Sequence, residues 1–229
     1  EAPSACTRRA ERVALEHTWL ASRTRNFDLV HHGGGTVPRL GNPRTLLTVH
    51  DVQWIDYPGY VRAVKLRYLR WMVPRSLERA TRIAVPSSFV AGTLESAFGT
   101  PRGRIGVVRH GLEAAFDEPS AETDVRARYG IGDRRFVVYP AITHPHKNHA
   151  FLLELMAAPG TEWSDPGLVA VFAGSQGHAE TDVRSRIESL GLQDRVVMPG
   201  RVSPSDRNGL LAASDAMVFP SEYLSLIHI

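Results

Sequence analysis

The sequence predicts a doubly wound α/β fold made of two Rossmann-like halves. Short apolar runs alternate with helical stretches along the chain, as in parallel sheets flanked by helices. Most of these runs are continuously apolar, which is typical of strands covered on both faces. The charge also changes along the chain: residues 1–118 carry 17 Lys and Arg against 11 Asp and Glu, and residues 119–229 carry 10 against 13. This change favours two domains of different character.

The individual elements follow from these patterns. The predicted strands cover residues 28–31, 45–49, 82–85, 105–109, 136–139, 168–172, 195–198 and 216–219. The predicted helices cover residues 8–22, 60–79, 88–97, 150–157, 181–190 and 205–213. Residues 111–123 show no strong apolar period and contain Glu113, Asp117, Glu118, Pro119 and Ser120, so we predict a connection between two domains there.

Composition limits the classes of protein to consider. The chain has 229 residues, 43% hydrophobic and 22% charged, which is typical of globular domains. Cys6 is the only cysteine, so no internal disulfide forms, and a reducing, cytoplasmic setting is expected. No apolar run approaches the ~20 residues of a membrane span. The net charge of +3 gives no reason to expect a nucleic-acid partner.

The segment 136–149 carries the candidate chemistry. A predicted buried strand runs into a turn that contains Pro145, and a helix is expected to begin near Asn148, a good N-cap residue. Lys147 then lies beside free N–H groups at a helix N-terminus, a place that attracts phosphate. Its charge can stabilise a leaving pyrophosphate. A surface lysine near a helix cap explains the same residue without any chemistry.

A metal site is the alternative for this segment, because His144, His146 and His149 lie close together in the sequence. No cysteine or carboxylate stands nearby to complete a ligand set, and the three histidines straddle the predicted turn. We therefore predict no metal site.

Seven segments, in order, resemble patterns of glycosyltransferase family 4. The segment 136–149 resembles the Gly-Arg…Lys-Asn strand–turn–helix that opens the family's C-terminal domain. The other six segments cover residues 47–51, 80–89, 105–111, 169–174, 195–202 and 213–221. The resemblance extends over roughly residues 27–223. Its most specific part is the turn that contains Pro145 and Lys147, called the lysine turn below, which has a mannosyltransferase-like form.

The resemblance implies the GT-B fold, in which two Rossmann-like domains face a cleft. It implies a partial acceptor-side domain over residues 1–112, a linker and entry helix over 113–134, and a partial nucleotide-sugar-binding domain over 135–223. The family's first β–α units and its Glu-Gly-Phe-Gly run are missing from this sequence. We therefore expect a fragment truncated at both ends, with a non-native tail over residues 224–229.

The resemblance also implies roles for single residues on the donor side. Lys147 would contact the pyrophosphate as a catalytic and donor-binding residue, and Gly174 would let a backbone loop approach the donor. Gly200, Arg201 and Val202 fall where the family's backbone meets the nucleobase.

On the acceptor side, His50 matches the histidine that faces the reacting sugar, and we count it as catalytic. A satisfied histidine at a strand end is the alternative. Gly33, Gly34 and Gly35 follow a predicted strand, and they allow either close approach to an acceptor or only a flexible turn.

The implied reaction is transfer of a sugar, with retention, from a nucleotide sugar to a glycan or lipid-linked acceptor. It needs no obligatory metal or cofactor, and the likeness to mannosyltransferases favours GDP-mannose. Ala141 and Ile142 stand where the family has Gly-Arg, so stabilisation of the leaving group falls on Lys147 or another base. A nucleotide-sugar epimerase of the same fold and a non-catalytic nucleotide-binding fragment are the alternatives.

A basic stretch over residues 62–82 combines seven Lys and Arg with apolar side chains. It fits peripheral contact with an anionic membrane at the inner face, where a lipid-linked acceptor would lie. A solvated helix face with a kink at Pro74 is the other interpretation.

Overall fold

A computed structural model of the chain describes residues 9–111 and 122–223. The chain divides into two compact units, the first reaching His110 and the second running from Gly111 to Tyr223. The predicted tail, residues 224–229, lies outside the described residues, and so does the first part of the predicted linker, residues 113–121.

The first unit contains a sheet of four parallel strands in the order β1-β2-β3-β4. The strands are β1 (Val30–His32), β2 (Thr45–Thr48), β3 (Arg82–Val85) and β4 (Ile105–Val107). In the register, Leu47 of β2 pairs with Ile83 of β3, which pairs with Ile105 of β4. All three side chains belong to one apolar core.

Helices complete the first unit. They are α1 (Arg9–Leu15), a π-helical turn (Glu16–Leu20), α2 (Ala21–Arg23), a 3-10 turn (Pro58–Tyr60), α3 (Ala63–Arg79), α4 (Ser88–Phe98) and a second 3-10 turn (Arg102–Arg104). The π-helical turn interrupts the helix predicted over residues 8–22. The helix predicted from residue 60 begins three residues later, because Val61 is extended after the 3-10 turn.

The second unit contains another sheet of four parallel strands, in the order β7-β6-β5-β8. The strands are β5 (Arg135–Tyr139), β6 (Leu168–Phe172), β7 (Val196–Val197) and β8 (Ala216–Met217). The helical elements are α5 (Glu122–Arg128), a 3-10 turn (Pro145–Lys147), α6 (His149–Ala157), a 3-10 turn (Glu162–Ser164), α7 (Glu180–Ser189) and α8 (Pro204–Ala213).

The central strands of the second sheet are buried on both faces. Val137 and Tyr139 of β5 belong to one core with Leu153 of α6. Phe136 and Val138 alternate with them and belong to a second core on the opposite face, which includes side chains from α5 and α8. Because each face of the strand needs an apolar side chain, the sequence of β5 is a continuous apolar run.

Several predicted strands are shorter in the structure. The strand predicted over residues 105–109 ends at Val107, and two strands of the second unit shorten more. The strands predicted over residues 195–198 and 216–219 reduce to two residues each, Val196–Val197 and Ala216–Met217. Pro199 and Pro220 follow closely; proline lacks an N–H and restricts the residue before it, so ladder pairing ends early.

The strand order of the second sheet reverses at β5, which pairs with β6 on one side and with β8 on the other. All strands are parallel, so their carboxyl ends lie at one edge of the sheet. In open α/β sheets, ligands bind outside the carboxyl ends of the strands at such a reversal. The loops at this position cover residues 140–148 and 218–223, and the loop after β6 covers residues 173–179.

Candidate functional site

The turn that contains Lys147 is held by both strands that flank the reversal. Tyr139, the buried last residue of β5, donates a hydrogen bond from its hydroxyl to the Lys147 carbonyl oxygen at 2.8 Å. The same hydroxyl lies 2.8 Å from the Ser221 hydroxyl oxygen in the loop after β8. The Glu222 N–H donates to the His146 carbonyl oxygen at 3.0 Å. The position of the lysine turn is therefore set by the sheet.

Helix α6 begins directly after this turn, at His149, but in a different way from the prediction. Asn148 has φ 54° and forms no side-chain cap hydrogen bond, so its predicted role as a capping side chain is wrong. Asparagine tolerates this left-handed conformation better than most residues. Without a side-chain cap, N–H groups in the first turn of α6 remain available to an anionic ligand.

Lys147 directly precedes Asn148 and α6; its side chain is half-buried, and burial lowers the pKa of its ammonium group. Among the described residues, no carboxylate lies within 4 Å of the Lys147 ammonium group. A half-buried charge that the surrounding protein does not pair favours an anion from outside.

Buried hydrogen bonds join the loop after β5 to the loop after β6. Thr143 is 2% exposed; its hydroxyl donates to a Glu180 carboxylate oxygen at 2.8 Å and accepts from the Gly177 N–H at 2.7 Å. The Ala179 N–H donates to the Thr143 carbonyl oxygen at 2.9 Å. Glu180 also pairs with Arg184 at 2.7 Å. The sequence does not predict this network. Its one local sign is Glu180, an acidic residue directly before the helix predicted over residues 181–190.

Glycine at position 174 is required by the approach of these two loops. A Cβ atom at Gly174 would lie 1.9 Å from the Ala141 carbonyl oxygen and 2.8 Å from the Ile142 nitrogen. Such contacts are far inside van der Waals distance, so no larger residue fits without moving the backbone. The structure thus gives Gly174 a packing reason, and its predicted approach to a donor stays a prediction.

Ile142, in place of the family's arginine, is 38% exposed and brings no charge to the site. Histidines surround the lysine turn instead. The His144 ring lies 5.4 Å from the His146 ring and 5.1 Å from the His178 ring. Within residues 9–111 and 122–223, no three His, Cys, Asp or Glu side chains are placed to hold one metal ion.

His149 occupies the core beneath the turn. It is 2% exposed, and its ring lies 4.7 Å from that of Tyr139 and 5.0 Å from that of Phe172. Neither ring nitrogen has a hydrogen-bond partner among the described residues. Burial lowers the pKa of the imidazole to about 4, outweighing the opposing effects of the Ala141 backbone and the Glu180 carboxylate.

Gly200, Arg201 and Val202 follow β7, at the carboxyl edge of the second sheet. Gly200 has φ +76°, Arg201 is exposed, and Val202 packs against the core that contains Phe136. The Val202 side chain thus contributes to the packing of the core, while the exposed Arg201 side chain is accessible to a ligand. Their contact with a nucleobase remains a prediction.

The predicted residues of the first unit also share one sheet edge. His50 follows β2, is exposed, and stacks on His110 with ring centroids 6.0 Å apart. Gly33, Gly34 and Gly35 follow the neighbouring strand β1; a Cβ atom at any of them would meet nothing within 4 Å, and Gly35 has φ +80°. The open space fits approach by a ligand, and equally a flexible turn.

Two family profiles match the chain, one in each unit. Residues 3–116 match the profile described as Glycosyltransferase Family 4. Residues 122–225 match the profile described as Glycosyl transferases group 1. The match in the second unit contains the lysine turn and the loops that surround it.

Individual relatives agree with these profiles. The O-antigen chain mannosyltransferase B of Escherichia coli is 23% identical over 201 residues, which are 86% of this chain and 52% of that protein. The Anabaena protein Alr3699/HepE, solved with UDP-glucose, superposes with a TM-score of 0.70 at 18% identity over 90% of this chain and 57% of its own. WaaG, a glycosyltransferase involved in lipopolysaccharide biosynthesis, gives a TM-score of 0.71 at 15% identity over 98% and 62%.

These solved structures confirm the predicted GT-B fold class. The chain spans about half the length of the curated mannosyltransferase and about three fifths of the two solved chains.

The close approach at Gly174 leads to a stability prediction. We expect Gly174→Ala to lower the free energy of unfolding by about 3 kcal/mol, the upper end for overpacking a tight site. The control is Gly92→Ala in α4, where a Cβ atom meets nothing within 4 Å and alanine should stabilise the helix by about 0.5–1 kcal/mol. Urea unfolding measures both. If Gly174→Ala unfolded with the same midpoint urea concentration as the wild type, the two loops would not be tightly packed.

A second prediction concerns His149. Its pKa is about 4 in the folded chain against 6.5 for the unperturbed side chain, so the unfolded state binds more protons between these values. The free energy of unfolding should therefore fall as pH drops from 6.5 to 4, by about 3 kcal/mol from this group. In His149→Phe, the free energy of unfolding should fall less over the same pH range, because this imidazole is absent. Identical pH profiles for the two proteins in urea titrations would contradict the buried, neutral imidazole.

Proposed function

This chain belongs to glycosyltransferase family 4, and from that premise we propose that it transfers a sugar from a nucleotide sugar to a glycan or lipid-linked acceptor. The observation that supports this most is the placement of Lys147. It lies at the carboxyl end of β5, where the strand order reverses, beside the first turn of α6.

A diphosphate is a compact anion whose recognition needs N–H donors and a cation at the same place. The lysine turn supplies both, because Asn148 leaves the first turn of α6 without a side-chain cap and the ammonium group of Lys147 has no carboxylate partner among the described residues. When the sugar leaves, negative charge grows on the diphosphate. A fixed positive group then stabilises the transition state more than the ground state.

We assign the remaining roles by unit. In the second unit, Gly174 lies beside the diphosphate, and Gly200, Arg201 and Val202 hold the nucleobase. In the first unit, His50 faces the reacting sugar, and Gly33, Gly34 and Gly35 line the acceptor side. The reaction proceeds with retention, the acceptor attacking from the face that the nucleotide leaves, and it requires no obligatory metal or cofactor.

The relatives favour different donors. The name of the Escherichia coli mannosyltransferase supports GDP-mannose, which is the donor we propose, whereas the UDP-glucose bound to the Anabaena protein supports a uridine nucleotide. Two of the names concern O-antigen chains and lipopolysaccharide, which favours a role in polysaccharide biosynthesis. Binding of GDP and UDP to the same protein distinguishes the two donors directly.

We also propose that α3 contacts an anionic membrane at its inner, cytoplasmic face. Its exposed side includes Val64, 85% exposed, and Trp71, 48% exposed, with the Arg75 guanidinium 5.1 Å from the centre of the Trp71 ring. Arg67 and Arg70 are exposed on the same helix. Cations around an exposed indole suit the interface of an anionic bilayer. No helix in the described part of the chain is both long and apolar enough to span a bilayer.

The role of Lys147 gives a catalytic prediction. In the complete enzyme that contains this sequence, we expect Lys147→Ala to lower kcat/KM by about 100-fold or more, as for loss of one key charged donor. Lys65→Ala, which removes the only other lysine of the chain, is the control and should retain activity towards a water-soluble acceptor. Steady-state kinetics with radiolabelled donor measures both. Near-normal turnover by Lys147→Ala would refute the assignment.

The membrane proposal is tested by vesicle pelleting. We expect the protein to bind vesicles with anionic phospholipid and to be released by salt. The double variant Arg67→Gln/Arg70→Gln should bind about tenfold or more weakly, since each cation near the surface contributes about 1 kcal/mol. Arg25→Gln/Arg44→Gln removes two exposed arginines outside α3 and should bind like the wild type. Equal binding to neutral vesicles, or no binding at all, would contradict the proposal.

A further inference from the structure

Three imidazoles gather at the lysine turn, and the function proposed above uses none of them. His144 and His146 flank Pro145 in the loop after β5, and His178 lies in the loop after β6. The His144 ring is 5.4 Å from the His146 ring and 5.1 Å from the His178 ring. His178 is exposed and His144 is half-buried. Side chains from two loops therefore meet at the carboxyl edge of the sheet.

The backbone fixes this meeting. A Cβ atom at Gly177, the residue before His178, would lie 2.3 Å from the Thr143 carbonyl oxygen, so the two loops touch next to the cluster. The Thr143 hydroxyl accepts from the Gly177 N–H at 2.7 Å. His144 follows Thr143, and His178 follows Gly177. Each histidine is thus adjacent to an anchored residue, unlike a side chain on a free surface loop.

The charges around the cluster are mainly positive. Lys147 lies on the same turn as His144. Burial lowers the pKa of His144, and the charges of His178 and Lys147 lower it further. His149, in the first turn of α6, is buried with a pKa of about 4 and stays neutral near pH 7.

The buried carboxylate near the cluster, that of Glu180, already has partners. The Glu180 carboxylate pairs with Arg184 and accepts from Thr143. Glu222 adjoins the cluster as well, since its backbone N–H donates to the His146 carbonyl oxygen at 3.0 Å. Within the described ranges, no carboxylate lies within 4 Å of the His144 or His178 ring nitrogens. A proton on the His144 ring is therefore opposed by burial and by its neighbours His178 and Lys147 until an anion binds.

On the basis of the proposed donor site, we propose that His144 and His178 donate hydrogen bonds to the donor's diphosphate and that the cluster takes up a proton when the diphosphate binds. The imidazoles then supply the positive charge that Ile142 does not. The proton comes from solvent and returns to it when the nucleotide diphosphate dissociates. Binding of the diphosphate thus becomes stronger at lower pH through the cluster.

Titration calorimetry on the full protein tests this. GDP, UDP and inorganic pyrophosphate are titrated near pH 7 in buffers of different ionisation enthalpy, and the dependence of the observed heat on the buffer gives the protons taken up. We expect His178→Gln to take up fewer protons than the wild type, and to bind the preferred nucleotide about tenfold more weakly at pH 6, with a smaller difference at pH 8.5. His144→Gln should behave in the same way.

The control is His17→Gln, which removes an imidazole of the first unit near Tyr68 and should retain the wild-type proton uptake. Ionisation of the ligand's own phosphate is common to all these proteins, so the differences between variants report the histidines. Pyrophosphate should show the same dependence on His178 as the nucleotides. Dependence with nucleotides alone would assign the histidines to the nucleoside and overturn the proposal.

The result separates this proposal from the one it rests on. Lost binding in Lys147→Ala, with unchanged affinity and proton uptake in both His178→Gln and His144→Gln, would overturn the histidine cluster and leave the donor site standing. No binding of any of the three ligands to the full protein would overturn the donor site and the cluster together.

Discussion

The candidate site depends on the close contact between the loops that follow β5 and β6. At Gly174 the backbone of one loop comes so near the Ala141 carbonyl that a single methyl group would lie 1.9 Å from its oxygen. Thr143, two residues after Ala141, joins the same loops through hydrogen bonds with Gly177 and Glu180. This contact forms at the carboxyl ends of adjacent parallel strands. It therefore fixes the positions of the two loops that carry Lys147, His144 and His178.

The contact between the two loops also explains why the positive charges of the site remain available to an anion. The buried Glu180 carboxylate is bound by Thr143 and Arg184, so it does not neutralise the cations nearby. Tyr139 holds the carbonyl group of Lys147 rather than its ammonium group. The uncapped start of α6, the lysine and the imidazoles then all favour an anion. A preorganised positive site of this kind costs little reorganisation when charge develops on a leaving group.

Local patterns in the sequence predict the strands, the start of α6 and the family. The apolar run 168–172 predicts a buried strand, and the five residues Leu168–Phe172 form β6 with all side chains buried. The lysine was placed at the start of a helix because proline and asparagine before an apolar stretch indicate a helix N-terminus. The order of seven short segments identified the family, which the profiles confirm.

Contacts between residues that are distant in the sequence are not predicted by local patterns. Thr143 and Glu180 are 37 residues apart, and no local pattern links them. Asparagine favours both N-caps and left-handed turns, so the sequence did not distinguish the two for Asn148. The sequence predicts a ligand contact for Gly174 and does not show that the Ala141–Ile142 backbone packs against this glycine. Local propensity also cannot show which cations lack an acidic partner, as this depends on how the loops meet.

The central claim is that a nucleoside diphosphate binds over the loops after β5 and β6, and amide hydrogen exchange tests it directly. With saturating GDP or UDP, exchange should slow in peptides covering residues 141–150 and 174–180. These peptides contain the turn with Lys147 and the loop after β6 with His178. Peptides from α3, residues 63–79, should exchange as in the free protein. Slowed exchange confined to the first unit, or a bound nucleotide that leaves both loops unprotected, would contradict the account.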